Sequence, residues 1–85
     1  MISKTVSISF PKEADARPVA MLVQIASQFD CKIYIIEHNK KINAKSIMGM
    51  MSLNLVPGEE ITIEADGADA EAAVNEIVKY IETQD

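Results

Sequence analysis

A serine next to an apolar segment is the first group in this chain whose type and position could support chemistry. Ser46 lies within the stretch 42–53 and precedes three apolar residues, Ile47, Met48 and Met51. This pattern predicts a short helix that begins at Ser46 and extends to about residue 53. A serine there accepts hydrogen bonds from backbone N–H groups one turn on, whereas a phosphoserine would place up to about two negative charges at the helix start. Ser46 is therefore a candidate helix cap and a candidate phosphorylation site.

The start of the first predicted helix is the second candidate site. Asp15 stands where a helix N-cap is expected, and aspartate is among the preferred capping residues. Pro18 occupies the first turn, where a missing N–H is tolerated. An anion-binding arrangement would be formed there by the N–H groups of Ala16 and Arg17, the helix dipole and the arginine guanidinium. The anion it binds would be the Asp15 carboxylate of the same chain. These residues alone fit either such a site or an ordinary capped helix.

Few other residues suggest chemistry. His38 is the only histidine and lies in a predicted turn, so it is interpreted as a solvated turn residue. Cys31 is interpreted as a small hydrophobic residue at a strand start, because no neighbouring base would make it a thiolate. Three carboxylates, Glu59, Glu60 and Glu64, are expected to form a solvated strand edge. The sequence has no Ser-His-Asp pattern, metal-ligand spacing or glycine-rich phosphate loop, so we expect neither an enzyme nor a bound metal or cofactor.

Length and composition set outer limits on the function. The chain has 85 residues, of which 48% are hydrophobic, and these values predict one domain, residues 1–85, with one core. The net charge of −5 argues against a nucleic-acid partner, although Lys40, Lys41 and Lys45 could form a basic face. A single cysteine and the lack of an apolar leader favour the cytoplasm. No apolar run is long enough to span a membrane.

Alternating and helical periodicities predict the element order β-α-β-β-α-β-α. The predicted strands cover residues 2–9, 32–37, 40–44 and 60–65, and the predicted helices cover 16–29, 46–53 and 70–83. Proline and glycine end several elements, with a hairpin turn at 38–39, a loop at 57–58 and a turn with a helix cap at 66–69. The predicted core faces are Ile2, Val6, Ile8 and Phe10 in the first strand, Val19, Leu22, Val23 and Ala26 in the first helix, and Ala73, Val74, Ile77, Val78 and Ile81 in the last. Such strands suit an α+β fold whose sheet has helices on one face and water on the other.

Two motifs carry a family resemblance over essentially the whole chain. Ala16-Arg17-Pro18 before an apolar helix, with Lys45-Ser46-Ile47-Met48-Gly49 some thirty residues later, resembles the HPr proteins. These are small phosphocarriers of the bacterial phosphotransferase system for sugars. The resemblance implies an open-faced β-sandwich, in which a four-stranded antiparallel sheet carries three helices on one face.

The family's carrier residue is a histidine immediately before Ala-Arg-Pro, and Asp15 occupies that position here. In the family this histidine takes phosphate from enzyme I and passes it to enzyme II components. An imidazole carries a phosphoryl group reversibly, and a carboxylate held as a helix cap is a poorer acceptor. A chain that lacks the histidine but retains the serine resembles the Crh group, the catabolite-repression HPr proteins, although that group has glutamine at the carrier position.

The motif around Ser46 implies regulation. In similar proteins of Gram-positive bacteria, HPr kinase/phosphorylase modifies the matching serine, and the product is a corepressor of a LacI-type catabolite-control repressor. The family's partner surface matches positions Arg17, Ala20, Ile47, Met48 and Met51 here. Without the resemblance, Met48 and Met51 could equally cover the sheet. The leading hypothesis is thus a regulatory protein phosphorylated on Ser46; the alternatives are a phosphocarrier with an altered acceptor and a binding module with neither modification.

Overall fold

The computed structural model of this chain describes residues 1–8, 17–53 and 58–82, with no account of the side chains of residues 17 and 18. Its elements follow the predicted order β-α-β-β-α-β-α. The strands are β1 (Ile2–Ser7), β2 (Lys32–Glu37), β3 (Lys40–Asn43) and β4 (Glu60–Asp66), and the helices are α1 (Arg17–Ser27), α2 (Ile47–Met50) and α3 (Ala70–Glu82). The predicted positions at 9–16, 54–57 and 83, including Phe10, Ala16 and Pro57, lie outside the described residues.

The four strands form one antiparallel sheet in the order β1-β4-β2-β3. The last strand in sequence therefore lies between the first and the second, with Val6 paired to Ile61 and Ile35 to Ile63. The prediction that Glu60 and Glu64 belong to a strand edge was wrong, because β4 is central. Their positions alternate with buried ones, so they belong to the open face of a central strand.

The core lies between the sheet and the helices. One side of β2 and of β4 is buried, and β1 contributes the buried Val6. Helix α3 packs against β1, β4 and β2, while α1 packs against α3 and α2. The predicted core positions of the described elements are buried, except that Ile2 and Val23 are partly buried against that core. Alternating strands and amphipathic helices thus give the open-faced arrangement that the sequence predicts.

The opposite face of the sheet carries polar pairs across the strands. The Thr5 and Thr62 hydroxyls lie 2.9 Å apart, and Lys41 Nζ lies 3.3 Å from Glu64 Oε1 and 4.8 Å from the centre of the Tyr34 ring. Because β2 lies between β3 and β4, the Lys41 side chain reaches across the Tyr34 ring on β2 to the Glu64 carboxylate on β4.

The second helix is shorter than the predicted span 46–53, since α2 covers only Ile47–Met50. The Ser52 N–H and the Ser52 hydroxyl both donate to the Gly49 carbonyl, at 3.1 and 2.6 Å, and the Leu53 N–H donates to Met50 O. These bonds to the third preceding residue close the helix with a tight turn. The serine side chain competes with the regular helical bond, which the apolar pattern did not reveal.

The Asp69 side chain links two loops at one end of the sheet. The Asp69 carbonyl accepts the Ala73 N–H, so Asp69 has the N-cap position of α3, within the turn and cap predicted at 66–69. Its carboxylate, however, accepts the N–H groups of Asp30 and Cys31, at 2.9 and 3.0 Å. The first of these bonds is the main reason that the pKa of Asp69 is below its ordinary value. The carboxylate thus links α3 to the chain before β2.

Candidate functional site

Ser46 is the N-cap of α2, as the sequence predicts. Its backbone is extended (φ −99°, ψ 110°), and its Oγ accepts the Gly49 N–H at 3.2 Å. The preceding Asn43 fixes the approach of the chain, because its carbonyl accepts the Ser46 N–H and its side-chain oxygen accepts the Lys45 N–H. The serine is therefore held by local bonds in one backbone conformation.

The Ser46 side chain is also exposed. Within the described residues its oxygen accepts the Gly49 N–H and contacts no basic group. A serine becomes a strong nucleophile only with an adjacent general base, so this hydroxyl cannot activate itself within that part of the chain. If this hydroxyl reacts as a nucleophile, the base that removes its proton must come from another protein.

An apolar patch extends from this serine. Met21 lies on α1, which packs against α2, and is exposed to 39%. Ile47, Met48 and Met51 follow Ser46 and are exposed to 47%, 85% and 57%. We call these four residues the methionine patch. The interpretation that Met48 and Met51 cover the sheet is wrong, because Met50 provides the buried side chain of α2. Flexible thioethers suit a surface that binds other proteins.

Two members of the predicted partner surface lie on α1. Ala20 is exposed and precedes Met21, and α1 packs against α2. Sequence reasoning missed Met21, although its position outside the buried stripe of α1 was a usable signal. Arg17 begins α1, and its side chain is not described. Asp15 lies outside the described residues, so the expected cap and anion-binding arrangement stay predictions.

The lysines proposed as a basic face make separate contacts. Lys45 Nζ donates to the Phe29 carbonyl just beyond α1, where a cation interacts favourably with the helix end. Lys41 instead lies against Glu64 on the open face of the sheet. The candidate basic face is thus divided between two environments.

The remaining candidates have structural roles. His38 lies in the hairpin turn with φ 54°, and its Nε2 lies 3.0 Å from Glu59 Oε2. Cys31 is buried before β2, and burial, followed by the neighbouring Asp69 carboxylate, raises the pKa of its thiol. In the described parts of the chain, no group of His, Cys, Asp or Glu residues could hold a metal ion, and no helix is long and apolar enough to cross a membrane.

The structure is thus an open-faced α+β sandwich that exposes a capped serine at the start of α2. Residues 2–83 match the family model described as "PTS HPr component phosphorylation site". The chain therefore belongs to the HPr family, whose members are phosphocarrier or regulatory proteins.

The relatives include both kinds of protein. The chain is 39% identical to the HPr-like protein Crh of Halalkalibacterium halodurans, covering 99% of this chain and all of the relative. It is 37% identical to the phosphocarrier protein HPr of Treponema pallidum, with 99% and 96% covered. The crystal structure of HPr-C-His from Thermoanaerobacter tengcongensis superposes with a TM-score of 0.90 at 42% identity, covering 98% of this chain and 93% of that one. The predicted family and fold are confirmed.

Proposed function

We propose that this protein is a regulatory HPr-family member of the cytoplasm whose Ser46 is phosphorylated by HPr kinase/phosphorylase. The phosphorylated form acts as corepressor of a LacI-type catabolite-control repressor. Asp15 does not carry phosphate between enzyme I and enzyme II components. The observation that carries this proposal is the exposed Ser46 hydroxyl, held at the start of α2 beside the methionine patch.

The chemistry at Ser46 requires only what an exposed alcohol supplies. The Oγ attacks the γ-phosphorus of ATP, a new O–P bond forms, and the bond from that phosphorus to the bridging oxygen of ADP breaks. The proton of the hydroxyl passes to a base of the kinase, because the described residues provide none near Ser46. The product carries about 1.5 to 2 negative charges at neutral pH.

The methionine patch supplies the second half of the proposed recognition. A partner that covers Met48 and Ile47 gains apolar burial, and a cationic group of that partner gains the phosphoserine charge beside them. Recognition that needs both contributions depends on phosphorylation and on this particular surface. This combination suits a corepressor, which must bind in one covalent state and not in the other.

The residue at position 15 separates this proposal from the carrier alternative. A neutral imidazole accepts a phosphoryl group from an anionic donor without charge repulsion, whereas Asp15 would present a carboxylate to the same donor. An aspartyl phosphate is chemically accessible, so the alternative is a carrier that uses Asp15. The Treponema pallidum phosphocarrier among the relatives is the observation in its favour.

The test supplies each phosphoryl donor separately and maps the modified residue by mass spectrometry. With kinase and ATP, we expect one phosphate on the wild type and on Ser52→Ala, and none on Ser46→Ala. Ser52 is the matched control, because it is an exposed serine of the same segment whose hydroxyl is committed to the Gly49 carbonyl. With enzyme I and phosphoenolpyruvate, we expect no label.

Each other result points to a different function. Label at Asp15 from phosphoenolpyruvate, at a rate comparable with an ordinary HPr, supports the carrier alternative. An unchanged mass with both donors leaves a binding module with neither modification. If Ser46 is phosphorylated but the product does not bind the repressor in calorimetry, the corepressor part of the proposal is wrong.

A further inference from the structure

Gly49 occupies a helical position that does not need a glycine. Its φ is not positive, unlike those of Gly58 and Gly67. A glycine within a helix costs about 1 kcal/mol relative to alanine, so the backbone of α2 would favour alanine here. The reason for this glycine is therefore to be sought in the space around it.

That space lies against the Ser46 hydroxyl. A Cβ at position 49 would be 3.3 Å from Ser46 Oγ, 3.6 Å from Ser46 Cβ and 3.2 Å from Ile42 Cγ2. The two shorter distances are tighter than ordinary contacts, so both neighbours would have to give way by a few tenths of an ångström. The missing side chain thus keeps the volume beside the candidate phosphorylation site open.

The backbone around Gly49 leaves little room for adjustment. The Gly49 carbonyl accepts both the N–H and the hydroxyl of Ser52. Ser46 is also fixed, because its N–H donates to Asn43 O and its carbonyl accepts the Met50 N–H. The Ser46 side chain can still rotate about χ1, and such a rotation would break its bond from the Gly49 N–H. Crowding at 49 would therefore act mainly on the position of Ser46 Oγ.

From this geometry we infer that Gly49 is a positioning residue for phosphoryl transfer to Ser46. Because it has no Cβ, it leaves room for the Ser46 hydroxyl, and its N–H donates to that hydroxyl and holds it in the observed rotamer. This inference rests on the proposed function and identifies what places the reacting oxygen. Transfer requires the oxygen in line with the phosphorus, and a displacement of about 1 Å can reduce a rate about a hundredfold. The methionine patch provides docking, and Gly49 provides alignment.

The experiment measures steady-state phosphorylation by the kinase, with ATP saturating and protein varied, for the wild type and Gly49→Ala. We expect kcat to fall about three- to tenfold, because the crowding at 49 demands a shift of a few tenths of an ångström and about 1 Å corresponds to about a hundredfold. KM should change less than about twofold, because the docking side chains are unaltered. Met48→Ala is the opposite control, and its KM should rise while kcat is retained. Scalar couplings of the Ser46 Hβ protons report its χ1 without the kinase, and they should differ between the wild type and Gly49→Ala.

Rescue separates positioning from general damage to the fold. Ile42→Ala removes the Cγ2 atom nearest to the added Cβ. The double variant Ile42→Ala/Gly49→Ala should therefore recover at least half of the decrease in log kcat that Gly49→Ala causes. Ile42→Ala alone should keep kcat within about twofold of the wild type. If Gly49→Ala does not fold, the same comparison is made between Ile42→Ala and the double variant, where a lower kcat in the double variant is expected.

Three results would overturn the inference: an unchanged kcat for the variant with alanine at 49, a loss confined to KM, or an unchanged Ser46 χ1. Failure of the wild type to be phosphorylated would instead refute the proposed function. The two failures are therefore distinguishable in the same assay.

Discussion

Met48 and Met50 lie two residues apart in α2, yet their side chains are exposed to 85% and 0%. Truncation of Met48 should therefore affect partner binding, and truncation of Met50 should affect the stability of the fold. We consider Met48→Ala and Met50→Ala, which remove the same atoms from a surface and from the core. Methionine and alanine are both good helix formers, so propensity contributes little to either change.

The expected magnitudes follow from these exposures. Met48→Ala should change the free energy of unfolding by less than about 0.5 kcal/mol, because it removes few buried contacts. If a partner covers Met48, truncation loses about 1–2 kcal/mol of apolar burial, which weakens binding about five- to thirtyfold. Met50→Ala leaves a cavity in the core and should cost about 2–5 kcal/mol of stability.

The assays are urea unfolding of both variants and calorimetric binding of their Ser46-phosphorylated forms to the repressor. We expect the urea midpoint to fall by about 2 M for Met50→Ala, given a slope of roughly 1–2 kcal/mol per molar, and to stay nearly constant for Met48→Ala. A large loss of stability in Met48→Ala would refute the assignment of exposed and buried side chains. Unchanged repressor affinity in Met48→Ala would show that the methionine patch is not the recognition surface.

Three further predictions concern the loops. Gly67→Ala places a Cβ 2.6 Å from Cys31 Cβ on a backbone with φ 149°. Backbone strain alone costs about 1–3 kcal/mol and the clash adds to it, so urea unfolding should show a larger loss of stability than that. A smaller loss would contradict the close approach. Asp69→Asn should lower the urea midpoint at pH 7. Because the folded-state pKa of Asp69 is lowered, its contribution to stability is present above the unfolded-state pKa and is lost as pH falls through the folded-state value. The difference in urea midpoint between wild type and Asp69→Asn should therefore become smaller below about pH 4. A difference that stays constant with pH would contradict this. Asp15→Asn removes a negative charge that would weakly mimic a carrier phosphate, so it should speed phosphorylation of Ser46 by up to about fivefold, given about 0–1 kcal/mol for a surface charge interaction. Equal initial rates for the two proteins would show that the carboxylate has no such role.

The sequence by itself determined the order of the elements and the family. Strand alternation and helical stripes arise from short-range geometry, in which side chains alternate every two residues or repeat every 3.6. Ser46 was identifiable as a cap for the same reason, since its partner Gly49 is three residues away. The carrier position and the regulatory serine came from the resemblance.

Contacts between distant segments required the tertiary structure. The sequence predicted only a local turn and helix cap at 66–69, but the Asp69 carboxylate accepts the N–H groups of Asp30 and Cys31 across the fold. Alternation also could not place β4 at the centre of the sheet, because it shows which side of a strand is buried and not which strands are its neighbours. Glu37 differs, because the alternation of β2 places it on the same side as Ile33 and Ile35, and it is buried there although it is a carboxylate.

The methionines of α2 mark the boundary between the two kinds of information. The sequence placed an apolar cluster after Ser46, but its composition could not distinguish a cover for the sheet from a surface for a partner. A helix of one turn shows too little periodicity to define its buried side, so packing against α1 and β3 decided which methionine is buried. That packing leaves Met48 exposed beside the serine, where a partner can reach both.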